Sequence, residues 1–495
     1  MYKLTHKGDP QMNYTCTEAN GQLAFSTSRS NWLMIPSLLD CFNNTTTSIH
    51  HNRNGKEVYC IEGTLDLITG DDVCPFCGRK MHINNTKETE LTHLKIGGSY
   101  SCVRFRQKQF YCPECGFSRM QTIPFKAKNH RITVQLYRYT RDLLSEGTYT
   151  LKQVSKLTGL GRNTVKQIDM ERLQEKYTID GVTLIQPEKP ARFIGIDEFK
   201  LHDNYRYATI IIDMDSGHVL WIQAGKKKQV VYDFINHVGM EWMSTVEAVA
   251  CDMNSDFYEA FYERCPHISP VFDRFHIIKN FNDKVISEIR RDEQRRLKEE
   301  GNEEGYKSLK GSRYILMSKR STLQRKDEEA KKGKIISKGS SFFGTEDYIR
   351  NEGYESRYDE LLSQNKLLFT CDLIKEKLDR AYRMTDETKM GDAIAEIVYL
   401  CNETGNEHFK WFANLLYKHH DGVAAHAKYW ITSGKIEGTN NKIKTIRRMG
   451  YGYPDDDYFF LKVFDISRQG YVRNYKSHRI CNAALRSGCL EAMHR

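Results

Sequence analysis

No stretch of this 495-residue chain approaches the roughly 18 to 20 consecutive apolar residues of a membrane span. The N-terminal Met1-Tyr2-Lys3-Leu4-Thr5-His6-Lys7 has no apolar run behind it to make a signal peptide. Internal repeats and low-complexity tracts are missing too, which sets aside repeat architectures. Charge of one sign is not dominant: 74 Lys and Arg face 64 Asp and Glu, a net +10. With 39% hydrophobic and 28% charged residues, the expectation is a cytosolic chain with no membrane partner and room for about three domains.

What is present is unevenly placed. From Ser101 to Lys176 there are 15 Lys and Arg against six Asp and Glu, so nine of the ten net charges fall in 76 residues. Such a local field suits a polyanion, because neutralising phosphates releases condensed counterions. The 14 cysteines are mostly scattered and, in a cytosolic chain, reduced. Four are ordered as two matching knuckles, Cys74-Pro75-Phe76-Cys77-Gly78 and Cys112-Pro113-Glu114-Cys115-Gly116. Two such turns present four thiolates to one tetrahedral Zn²⁺, and the 34 residues between them call for a ribbon with hairpins rather than a short finger. Cys60 and Cys102 are expected to be buried thiols.

Residues 1–60, rich in Asn, Thr and Ser, read as an N-terminal extension, and 61–126 as the zinc ribbon. The alternating run Cys102 to Tyr111 is expected to be a strand leading into the second knuckle. Residues 127–180 read as a helical module with Ile132, Leu136, Tyr139 and Leu143 at helical spacing. Within it, Thr150 to Thr158, the turn Gly159-Leu160-Gly161 and a helix from Arg162 make a helix-turn-helix pattern. Arg162, Asn163 and Lys166 are then the side chains offered to DNA, with Val165 and Ile168 turned inward.

Pro187 and Pro190 mark a linker. Across 191–289, three strands, a helix and a further strand-helix alternation give the order of an RNase H-like mixed sheet. Residues 290–425 turn charged and helix-favouring, so a helical insertion separates this first part of the core from its last helical part, 426–470. A tail, 471–495, follows. The fold class expected is multi-domain α+β: zinc ribbon, helix-turn-helix, and an RNase H-like mixed-sheet catalytic domain with a helical insertion.

Three carboxylates stand at the positions such a core reserves for metal. Asp197 ends the run Arg192 to Ile196, Asp252 ends Val246 to Cys251, and Glu437 opens a basic helix 185 positions further on. A single Asp after a strand is ordinarily a turn residue, but three acids in matching contexts suit Mg²⁺ (or Mn²⁺), which takes oxygen ligands. Glu198 should turn to the other face by strand alternation. Asp213 also ends a strand, and Asp455 to Asp457 read as a solvated turn. Asp273 and His276, three apart at a helix start, are assigned supporting catalytic roles. Asn441, Lys444 and Arg448 lie at i+4, i+7 and i+11 from Glu437, on one helix face, where they could hold the DNA backbone.

The knuckles, the helix pair, Gly195-Ile196-Asp197-Glu198-Phe199, Cys251-Asp252-Met253, Asp273-Arg274-Phe275-His276, and Glu437 to Lys444 with Tyr451-Gly452-Tyr453 together resemble the ISL3 family of bacterial insertion-sequence transposases, over about residues 61–465. That resemblance implies a DDE recombinase that binds the terminal inverted repeats of its element. It further implies Mg²⁺-dependent strand cleavage and strand transfer, with Asp197, Asp252 and Glu437 as the three acids. The partners expected are double-stranded DNA, at element ends and target, and further copies of the chain in a homodimer or higher oligomer. The rival readings are a DNA-binding regulator without catalysis and a nuclease that lacks strand transfer.

Overall fold

The computed structural model describes residues 15–19, 22–26, 42–52, 55–203, 206–253, 256–340, 344–349, 351–432, 434–450 and 452–468. The tail after 468, Tyr451 and the apolar run Trp32 to Pro36 lie outside them. Two compact units emerge: residues 1–184 with 448–465, and residues 185–447 with 466–495.

The first unit is built on a seven-stranded sheet, β1 (Thr15–Ala19), β2 (Gln22–Ser26), β3 (Phe42–His51), β4 (Glu57–Leu65), β5 (His82–Ile96), β6 (Ser99–Tyr111) and β7 (Ser118–Met120). Its order is β1-β2-β3-β4-β6-β5, with β7 on β6. The pairings are antiparallel except β4 with β6. The alternating run singled out in the sequence is β6, and it feeds directly into Cys112. Val103 and Phe105 of β6 join Phe42, Ile61, Leu65, Leu91 and Phe125 in a core, where Phe42, Phe105 and Phe125 meet edge to face. Residues 15–51, set apart above as an extension, supply three strands of this sheet. Their polar composition hides the strands, because backbone pairing along β4 needs no apolar pattern in the partner.

Three helices follow: α1 (Val134–Ser145), α2 (Leu151–Thr158) and α3 (Arg162–Tyr177). Thr150 and Gln153 close a reciprocal cap at the start of α2, and Gly159 ends it at φ +82°. A side chain at Gly159 would also strike the Tyr100 ring, 2.4 Å from the position of a Cβ. Leu136, Leu144, Val154, Leu160, Val165 and Ile168 pack the three helices together. The buried stripe of α1 is Leu136, Thr140 and Leu144, one step off the spacing read from Ile132, and Tyr139 is exposed. The helix starts only at Val134, after the Thr133 cap.

The second unit holds a five-stranded sheet: β8 (Phe193–His202), β9 (Arg206–Asp213), β10 (Val219–Ala224), β11 (Ala248–Cys251) and β12 (Ser269–Phe272). Its order is β10-β9-β8-β11-β12, antiparallel up to β8 and parallel from β8 onward. All four residues of β11 are buried, as an interior parallel strand requires. Helix α4 (Lys228–Met243, broken at Gly239) connects β10 to β11, α5 (Phe257–Arg264) connects β11 to β12, and α6 (Arg274–Phe281) leaves β12. From Ser287–Glu299 to Glu407–Lys418 the chain is helical, apart from a hairpin of β13 (Ile335–Ser340) with β14 (Gly344–Ile349).

Helix α7 (Gly434–Met449) buries Ile436, Thr439, Ile443 and Ile446. It lies against β8 at Gly195, where a Cβ would fall 2.5 Å from Ile436 Cδ1 and from Met214 Sδ. Glycine is what lets helix and strand approach so closely. Helix α8 is Asp456–Ser467. Among the described residues no helix is long and apolar enough to cross a membrane.

Candidate active site

Asp197 and Asp252 reach one pocket because their strands do. In the parallel pairing of β8 with β11, Phe193 faces Ala248 and Gly195 faces Ala250; two residues on, Asp197 comes level with Asp252, which follows the last residue of β11. Asp197 does not end its strand as expected, since β8 runs on to His202 along β9. A pocket of about 210 Å³ is lined there by Ile196, Asp197, Glu198, Lys226, Asp252, Asp256 and Phe257.

Asp197 is fastened on both oxygens. Oδ1 accepts the Glu198 backbone N–H at 2.8 Å, and Oδ2 accepts Asn440 Nδ2 at 2.6 Å. Burial raises its pKa above the ordinary carboxylate value, outweighing the Glu198 N–H, the Asn440 amide and the charge of His276, while Asp252 adds to the rise. Asp252 Oδ2 lies 3.5 Å from His276 Nδ1. Glu198 is also among the residues lining the pocket, and its pKa is raised by burial, with Lys226 opposing and Asp197 and Asp252 reinforcing.

Glu437 occupies the first turn of α7 and is exposed. Its helix neighbours are held on the sheet, Ile436 against Gly195 and Asn440 against Asp197. Glu437 itself is not among the residues lining the pocket. Among the described residues, Asp197, Asp252 and Glu437 are not a group whose ligand atoms all lie within 4.8 Å of one another. The two strand acids are thus together, and the third stands one helical turn before Asn440. Asn441, Lys444 and Arg448 share the exposed face of α7 with it.

The Asp273 and His276 pair is parted. His276 faces Asp252, whereas Asp273 is buried at the start of α6, where its charge acts on Tyr382 and His426. Asp213 caps its own turn, accepting the N–H groups of Asp215 and Ser216. Sequence reasoning missed Asn440, Lys226 and Asp256. Asn440 had a signal, since it sits three residues after Glu437, the other direction in which neighbouring helix turns meet.

In the first unit the four knuckle sulfurs of Cys74, Cys77, Cys112 and Cys115 cluster within 4.8 Å, with Cys77 and Cys112 3.6 Å apart. Gly78 and Gly116 close each knuckle by bonding back to Cys74 and Cys112 at 2.9 Å, with φ of +70° and +65°. Burial pushes the Cys74 thiol up, but the N–H groups of Cys77 and Phe76 and the sulfurs of Cys77 and Cys112 prevail and hold it at about 7. Sulfur contact with Cys77, followed by burial, pushes Cys115 to about 12. A four-thiol cluster of this kind is compatible with a structural zinc ion.

Arg162 and Asn163 are exposed at the start of α3. Lys166, expected beside them, instead pairs with Asp455 at 2.7 Å. Asp455 is no solvated turn residue: it also accepts the Tyr458 N–H at the start of α8. Deeper along α3, Asp169 accepts from Arg172, from Tyr458 at 2.6 Å and from Lys462 at 3.0 Å, and Asp465 accepts from Arg172, Lys176 and Tyr177. One face of α3 is therefore spent on α8.

The family profile described as Transposase, that of the ISL3 group, matches residues 194–463. The transposase for insertion sequence element IS1001 of Bordetella parapertussis is 25% identical over 392 residues, 79% of this chain and 87% of that protein. The transposase for IS1557 of Mycobacterium tuberculosis is 22% identical over 280 residues, 53% of this chain and 57% of that one. With more than half of its length matched by the family profile, the chain belongs to the ISL3 family of transposases.

Proposed function

We propose that this protein is a DDE transposase that binds the terminal inverted repeats of an insertion sequence and catalyses metal-dependent strand cleavage and strand transfer. The observation that carries the reading is the meeting of Asp197, on β8, and Asp252, just past the end of the adjacent parallel strand β11, in one pocket, with a helix bearing Glu437 tied to Asp197 through Asn440. The order of that sheet, three antiparallel strands and then two parallel ones with helical crossovers, supports an RNase H-like core.

The residues fit a divalent cation. Four acids, Asp197, Glu198, Asp252 and Asp256, crowd a pocket whose lining includes one cation, Lys226, and hard oxygen donors suit Mg²⁺ or Mn²⁺. Asp197 and Asp252 would hold the metal, with Glu437 as the third acid. Bound there, divalent ions would activate the attacking oxygen and stabilise the leaving one during in-line displacement at phosphorus. The chain's own groups prepare this site. Asn440 and the Glu198 N–H hold the Asp197 carboxylate in place, and His276 steadies that of Asp252. Asp273 supports α6 from the buried side.

Along α7, Asn441, Lys444 and Arg448 take backbone phosphates. The α2 to α3 pair works as a helix-turn-helix in which Arg162 and Asn163 read base edges, Lys166 being engaged by Asp455. A structural Zn²⁺ on the four knuckle cysteines shapes the zinc ribbon beside it. The protein acts in the cytoplasm on double-stranded DNA, as a homodimer or higher oligomer that brings two element ends to a target. Incubating the purified chain with a duplex carrying its element end and Mg²⁺ tests this. Asp252→Asn should bind the end as the native chain does and fail to cut it. End binding without metal-dependent nicking by the native chain would select the regulator reading instead, and nicking without joining to a target duplex a plain nuclease.

A further inference from the structure

Strands β3 and β4 of the first unit gather a second set of side chains that could ligate a metal, separate from the knuckle cysteines. Cys60 on β4 stands opposite Ser48 on β3 and opposite Cys102 on β6. Strand alternation turns these residues, with His50 and Glu62, to the face away from the aromatic core that Ile61, Val103 and Phe105 fill. His50 pairs with Val58 and Glu62 with Thr46, so the two flank the Ser48/Cys60 rung from opposite directions.

Their side chains nonetheless lean back over it. His50 Nε2 lies 3.9 Å from Glu62 Oε1, and the Ser48 hydroxyl lies between them, 2.8 Å from His50 Nε2 and 3.5 Å from Glu62 Oε1. One ligand atom each of His50, Cys60 and Glu62 falls within 4.8 Å of the other two. Cys102, the β6 partner of Cys60 in the sheet register, lies outside that three-residue group. Both cysteines are buried and free of disulfides.

We propose that His50, Cys60 and Glu62 form a second metal site, taking Zn²⁺ or another borderline-soft divalent ion. One imidazole nitrogen, one sulfur and one carboxylate oxygen are donors that zinc takes. The outer contacts suit the role. Ser48 keeps imidazole and carboxylate aimed at each other, and Arg104 Nη1 donates to Glu62 Oε1 at 3.0 Å, as partners behind ligating carboxylates do. Such an ion would clamp β3 onto β4, joining the N-terminal strands to the rest of the sheet.

Zinc content of the full-length protein, measured by mass spectrometry after dialysis under reducing conditions, tests the proposal. The native chain should hold two ions, Cys74→Ser one, and His50→Ala one. Cobalt loaded into Cys74→Ser should show the visible bands of tetrahedral thiolate coordination, and adding Cys60→Ser should abolish them. Should Cys60→Ser fail to fold, His50→Ala and Glu62→Gln alter partly exposed side chains and must still lower the content. A native chain holding one zinc, unchanged by His50→Ala, overturns the second site. So does a Cys60–Cys102 disulfide in the reduced, metal-loaded protein.

Discussion

Replacing Asn440 by alanine removes the one side-chain hydrogen bond that joins α7 to Asp197, Nδ2 to Oδ2 at 2.6 Å. A hydrogen bond to a charged group contributes about 1.5–3 kcal/mol. If that energy holds the carboxylate in its working position, its loss lowers the cleavage rate roughly ten- to hundredfold at about 1.4 kcal/mol per decade. The pH profile should move as well. Burial holds the Asp197 pKa above its ordinary value, and Asn440 is one of the groups pulling it down. Asn440→Ala therefore raises it further, and the acid limb of the rate profile, where Asp197 takes up a proton, moves to higher pH. The assay is single-turnover nicking of an element-end duplex across a pH series at fixed Mg²⁺, with end binding followed in parallel. A variant that cuts within twofold of the native rate, on an unshifted pH profile, would refute the role given to Asn440.

The ion cluster between α3 and α8 gives further tests. Asp169 is fully buried and accepts from Arg172 and Lys462, themselves buried; Asp169→Ala leaves Arg172 only Asp465, takes the carboxylate from Lys462, and should cost about 3–5 kcal/mol. Hydrogen exchange of the α3 and α8 amides reads this, with protection lost in both helices and kept in β8 and β11. Asp465 titrates low in spite of its burial, because Arg172, Tyr177 and Lys176 favour its charged form. Its contribution is therefore complete above the ordinary carboxylate range near pH 4, and is lost as pH falls through the depressed pKa. The amides of α8 should hold their protection down to about pH 4 and lose it below, and loss already between pH 5 and 7 would contradict this.

Much of the architecture was legible because period and punctuation agreed. Continuous apolar runs ending in acid marked β8 and β11, the Gly159 to Gly161 turn marked the boundary of α2 and α3, and paired knuckles marked the sulfur cluster. What escaped notice depends on contacts between distant segments. Strand β3 carries Asn and Thr where a buried strand would carry Val or Ile, and its pairing with β4 is what reveals it, with β2 and β1 following in turn. Lys166 looked free for DNA because Asp455 lies 289 residues away. Glu198 was set aside by strand alternation, yet it is among the residues lining the pocket beside Asp197. Asn440 was passed over for Asn441, since helix periodicity alone allows either i+3 or i+4 to face a partner. The placement of α7 on Gly195, which decides between them, is tertiary.

The central claim is that the acid opening α7 works with the two strand acids in cutting DNA. It is tested most directly by Glu437→Gln, which removes the charge and keeps the shape. Nicking of an element-end duplex in Mg²⁺ is measured beside end binding, with Asp197→Asn as the reference. The account predicts binding within about twofold of native and a loss of cleavage as severe as that of Asp197→Asn, beyond the roughly hundredfold that an outer-shell change can cause. A Glu437→Gln protein that cuts at the native rate would contradict it.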